Sequence, residues 1–229
     1  MRKKIIWIIL CILSFAYIYW IAGLIGVSVL VMIALHELGH LYMAKYLGYQ
    51  TGGFVFIPGL GGVALLKEPV KTFWDGFLIW FAGPFSGLVQ VVIVMGINYF
   101  IQSQFIWQMA VVWAFVNLFN LLPVIPLDGG QMFWCIGNSI HKAYGEKWLF
   151  MIFQFIGLML ISLITGIIWV IIIILFGWET IVWNRVLLPT IIPMNWKKIF
   201  FSILLYFLLF GALCVLIALG AIMVSSGTM

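Results

Sequence analysis

Long apolar runs, separated by short polar or glycine-containing stretches, set the pattern of this chain. They fall at about 5–25, 27–47, 73–98, 105–127, 148–165, 167–183 and 199–223. Most approach the roughly 20 residues that an α-helix needs to cross the hydrocarbon core of a bilayer. Residues 148–183 read as one long kinked helix or as two short spans joined near Thr165-Gly166. Gly52 to Leu66 departs from the helical pattern, because two β-prone runs there flank the turn residues Pro58-Gly59. The expected fold is an all-α polytopic membrane protein with six to seven transmembrane helices and a short membrane-associated β-hairpin after the second. A single integral membrane domain, 1–229, is expected, with a core at about 25–135 and extra C-terminal spans at about 148–223.

Composition strengthens the membrane reading. Of 229 residues, 66% are hydrophobic and 7% charged, with a mean hydropathy of +1.26. A soluble domain carries about 25% charged residues. The net charge of +5 does not point to nucleic acid, since every cation falls near the end of an apolar run. Seven spans place all eleven Lys and Arg residues on one side of the membrane, whereas six put Arg185, Lys197 and Lys198 opposite the rest. Seven spans with a cytoplasmic N-terminus in the cell membrane are therefore expected. The first run carries Tyr17, Tyr19 and Trp20 and lacks a small-residue cleavage site, so it reads as a retained helix. Cys11, Cys135 and Cys214 show no paired spacing and imply no disulfide framework.

Against this apolar background, His36-Glu37-Leu38-Gly39-His40 stands out inside the second run. Two imidazoles four residues apart share a helix face, the spacing needed to chelate one metal ion. Glu37 lies beside that face, within reach of a metal-bound water. Ionisable groups at bilayer depth are costly unless paired or liganded, so such a cluster is a functional site by default. A catalytic zinc site takes three protein ligands and keeps one position open. The chain has only six acidic residues and three histidines, so candidates for the third ligand are few. Asp128 is the foremost, because Pro123, Pro126 and Gly129-Gly130 break the fourth helix around it, and broken helices line cavities or sites in membranes. Two neutral imidazoles and one carboxylate would leave zinc a net charge near +1. A metal ion lowers the pKa of its bound water from 15.7 to roughly 7. Glu37 would accept the proton and return it to the leaving amine. Asn117 or Asn120, one helical turn apart, could stabilise the oxyanion.

HELGH, then GGVA (Gly61–Ala64), FAGP (Phe81–Pro84) and FNLLPxxPLDGG (Phe119–Gly130), resembles the site-2 protease family of intramembrane zinc metalloproteases over roughly residues 25–135. The resemblance implies one zinc ion per subunit held by His36, His40 and Asp128, with Glu37 as acid/base and Asn120 in the active site. It implies substrates that are single-span or hairpin membrane proteins or membrane-tethered peptides, and a lipid bilayer as surroundings, with no nucleic acid. The chain looks like a minimal core closest to the sporulation-type branch, without a PDZ-like insertion or a nucleotide-binding tail. Phe85-Ser86-Gly87 stands where many members have an asparagine after the GP pair. Regulation is expected from outside, through trimming of the substrate or a regulatory membrane partner. The rival reading is a zinc-binding transporter or sensor without hydrolysis. Transporters commonly show repeat symmetry or a second polar site, and the sequence has neither.

Overall fold

The computed structural model describes residues 2–57, 61–125, 127–144 and 191–226. Among them lie helices α1 (Arg2–Tyr46), α2 (Phe73–Ile101), α3 (Gln104–Asn120), α4 (Asp128–Tyr144) and α5 (Trp196–Ser225), with strands β1 (Thr51–Ile57) and β2 (Gly61–Leu66). The runs expected at 148–183, and with them the choice between six and seven spans, fall outside the described residues. Among the described residues, three helical segments are long and apolar enough to cross a membrane: Ala22–Tyr46, Phe73–Ile101 and Trp196–Ser225. At 1.5 Å per residue each is at least about 37 Å long. Helix α3 has 17 residues, the lower limit for a span.

The described chain falls into two compact units. The first comprises Met1–Lys67, Ala82–Leu118 and Gly211–Met229. Sequence pattern anticipates a turn near residues 23–28, but the interruption of α1 is confined to Gly23 (φ 57, ψ −146). Only glycine adopts that backbone readily, so a single residue separates the two helical arms. The C-terminal end of α1 is closed by Gly48 at φ 85. Its N–H donates to Lys45 O, and Tyr49 N–H donates to Ala44 O with Tyr49 buried. This is a Schellman cap, which satisfies the last helical carbonyls through a left-handed glycine. Strands β1 and β2 pair antiparallel, with a register shift between Thr51 and Gly53.

Helix α1 meets α2 at glycine. A Cβ on Gly39 would stand 2.6 Å from Ala82 O and 2.8 Å from Ser86 Oγ, so only a hydrogen fits. Close approach through small residues is how helices pack where no hydrophobic drive acts between them. Ser86 Oγ bonds to Gly83 O at 2.8 Å and to Leu35 O at 3.3 Å. Trp113 Nε1 of α3 donates to Ser28 Oγ of α1 at 3.1 Å. The turn from α2 to α3 is tighter than the pattern at 98–106 predicts. The buried Asn98 side chain accepts from Ser103 N and donates to Ser103 O, while Gln102 takes φ 58.

The second unit comprises Glu68–Phe81 and Phe119–Phe210. Helix α2 starts there because Thr72 Oγ1 accepts the Asp75 N–H at 3.0 Å, an N-cap, with Asp75 itself in the first turn where the helix dipole favours an anion. Phe73 N and Ile192 N donate to Ile192 O and Lys71 O, forming a parallel bridge. Asn195 caps α5 through its Oδ1 on Lys198 N. The break after α3 is where the sequence anticipates it, but its chemistry differs in detail. The helix stops at Asn120 and restarts at Asp128. Gly129-Gly130 does not break a helix; it forms the first turn of α4. Cβ atoms there would overlap the backbone of Leu121 and Val124, so the pair lets the irregular segment lie flat on that turn. Tyr206 of α5 then donates its hydroxyl to Leu121 O at 2.5 Å, satisfying a carbonyl freed by the break.

Gly48→Ala places a side chain at positive φ and is expected to destabilise the fold by about 1–2 kcal/mol. Gly96→Ala, with open space around it, removes a helical glycine and should stabilise by up to about 1 kcal/mol. Thermal melting of the two variants beside the wild type checks the opposite signs.

Candidate metal centre

Because α1 stays helical from Gly23 to its cap at Gly48, His36 and His40 project from one face, one turn apart. Both are almost wholly buried, each 2% exposed. Their Nε2 atoms stand 3.2 Å apart, and the rings meet edge to face with centroids at 4.9 Å. Two bare lone pairs at that distance repel, as do two N–H groups, so the pair is at ease only around a shared cation or proton. Two nitrogens held at 2.0–2.1 Å by one tetrahedral zinc stand about 3.3 Å apart. The observed separation fits that edge.

The neighbouring backbone makes this possible. A Cβ on Gly83 of α2 would overlap both imidazole rings, so Gly83 admits the rings against the α2 main chain. Glycine here is a clearance device. Glu37, between the two histidines, is also buried. Asp128, the first residue of α4, is buried as well. His36, His40 and Asp128 form a group that could hold a metal ion. Each offers one ligand atom, and these atoms all lie within 4.8 Å of one another. Two neutral imidazoles and a carboxylate make a donor set that zinc accepts.

The two asparagines considered from sequence part company. Asn117 is fully buried, its Oδ1 2.9 Å from His36 Nδ1. Its Nδ2 donates to Trp113 O at 2.9 Å and to Met32 Sδ at 3.2 Å. Both amide protons are committed, so Asn117 has no donor left for an oxyanion. Asn120 closes α3 and is half-buried. Sequence reasoning did not find the contact between Asn117 and His36, which depends on α3 lying beside α1. The usable signal is the Trp113 and Asn117 pair at i and i+4, two polar-tipped residues on one face of an apolar helix.

Comparison with known proteins points to one peptidase family. Residues 24–104 match peptidase family M50. Over 151 residues the chain is 32% identical to zinc metalloprotease MJ0392 of Methanocaldococcus jannaschii, covering 63% of this chain and 38% of that protein. It is 31% identical over 141 residues to Rip3 of Mycobacterium tuberculosis, assigned as a zinc metalloprotease, covering 58% and 35% respectively. The chain thus matches little more than a third of the length of these relatives.

Gly83→Ala inserts a methyl group into the imidazole pair. Zinc content of the purified protein, measured by atomic emission, should fall about tenfold or more, while Gly96→Ala retains the wild-type content.

Proposed function

We propose that this chain, whose residues 24–104 match peptidase family M50, is an intramembrane zinc endopeptidase. It hydrolyses a peptide bond in or near a transmembrane segment of a membrane-protein substrate. The buried His36, His40 and Asp128 group, with Glu37 in the same helical turn as the histidines, carries this reading. The relatives named as zinc metalloproteases support zinc as the ion, one per subunit. Three segments able to span a membrane support an embedded enzyme. In this reading the chain is a multi-pass protein of the cell membrane with a cytoplasmic N-terminus, as the placement of its cations favours.

His36, His40 and Asp128 hold the ion. When bound, zinc supplies Lewis-acid polarisation of the scissile carbonyl and lowers the pKa of water. Glu37 takes a proton from the attacking water as its oxygen bonds to the carbonyl carbon. As the C–N bond breaks, Glu37 returns that proton to the departing amine. Asn120 donates an N–H to the carbonyl oxygen while negative charge grows there. A transmembrane helix hides its carbonyls in its own hydrogen bonds, so the substrate must be held extended. Among the described residues, antiparallel strands β1 and β2 form a two-stranded sheet, and addition of a substrate strand to its edge would present the scissile bond.

Glu37→Gln keeps the side-chain volume and removes the base. In lipid vesicles it should lower cleavage of a single-span substrate by at least about 100-fold and leave zinc content unchanged; cleavage at the wild-type rate would falsify the base assignment. Asp128→Ala should lower zinc content and turnover together. Full zinc occupancy in that variant moves the third ligand elsewhere.

A further inference from the structure

Asn117 occupies a position that the catalytic reading leaves without a role. We infer that it is a positioning residue: it dictates which nitrogen of His36 carries the proton and so keeps His36 Nε2 bare toward the metal. This rests on the metal reading of His36 and His40 and extends it by one residue.

The logic starts from the amide itself. Oxygen and nitrogen of an asparagine side chain are assigned from their partners. Trp113 O is a carbonyl and only accepts, so the group facing it at 2.9 Å must be the NH2. Met32 Sδ, a weak acceptor at 3.2 Å, takes the other proton. Oδ1 is left facing His36 Nδ1 at 2.9 Å. An amide oxygen only accepts, so Nδ1 must donate. A neutral imidazole has one N–H, and with that proton on Nδ1 the lone pair falls on Nε2. That nitrogen is the one 3.2 Å from His40 Nε2. The tautomer is therefore traced back, bond by bond, to the main-chain carbonyl of Trp113.

The surroundings hold this chain of bonds still. Asn117 is fully buried, and a Cβ on Gly87 of α2 would overlap its Oδ1, Cγ and Nδ2. Gly87 thus gives the amide its space, as Gly83 does for the imidazoles one turn earlier on the same helix. Trp113 is itself tied to α1 through Nε1 on Ser28 Oγ. Partners of this kind orient ligand histidines and typically change metal affinity by 10–100-fold when removed.

The test uses the full-length protein in detergent or bilayers, with zinc affinity measured by chelator competition. Asn117→Leu removes the acceptor at similar volume, and Gly87→Ala displaces it without touching it chemically. Each should weaken zinc binding by about 10–100-fold. Asn117→Asp keeps an acceptor for Nδ1–H and should lie closer to the wild type than either. Nitrogen-15 resonances of labelled histidine in the zinc-loaded wild type should show His36 protonated at Nδ1 and metallated at Nε2. Wild-type affinity in both Asn117→Leu and Gly87→Ala, or an unprotonated His36 Nδ1, overturns the assignment. If Asn117→Leu does not fold, Gly87→Ala and the wild-type resonances decide. A wild type that takes up no zinc removes the functional reading and this one together. Zinc-binding variants of unaltered affinity remove this one alone.

Discussion

Two imidazole nitrogens 3.2 Å apart in an apolar interior are the constraint around which the protein is organised. Two nitrogens so close must share either a proton, as an N–H···N hydrogen bond, or a cation, and the spacing suits both. The geometry around the pair reads as a set of conditions for tolerating it. Helix α1 has to run unbroken between Gly23 and Gly48 to keep both rings on one face. Gly39 and Gly83 have to be glycine, because the α1 and α2 backbones approach closely on both sides of the rings. An interior packed to this density leaves no room for a methyl group at either position.

A second arrangement concerns the backbone that carries the carboxylate. A helix interrupted in an apolar environment exposes carbonyls that need partners. Here the Tyr206 hydroxyl reaches Leu121 O, and Gly129-Gly130 lets the irregular segment rest on the first turn of α4. Asp128 follows directly as the first residue of that helix, where its charge also suits the helix dipole. Glycine thus serves two ends in this chain. At Gly23, Gly48 and Gly53 it supplies positive φ, and at Gly39, Gly83, Gly87, Gly129 and Gly130 it supplies space.

The candidate ligands were visible in the sequence because ionisable residues are so scarce. With three histidines and six acids in 229 residues, HELGH and LDGG had few competitors, and among the described residues His36, His40 and Asp128 form a group that could hold a metal. The apolar runs likewise delimited α2 and α5 to within a few residues. Boundaries set by single side chains were harder to see. The one-residue interruption at Gly23 and the Asn98 clasp on Ser103 made both turns shorter than hydropathy suggests. Asn117 was visible as a polar residue, but its partner was not. Helix periodicity places a residue on a face of its own helix and carries no information about which neighbour that face meets.

X-ray absorption at the zinc edge of the purified, full-length protein probes the central claim most directly. The account predicts a four-coordinate ion with a first shell of nitrogen and oxygen only, including two imidazoles. A sulfur scatterer at about 2.3 Å, or a shell with a single imidazole, would contradict it.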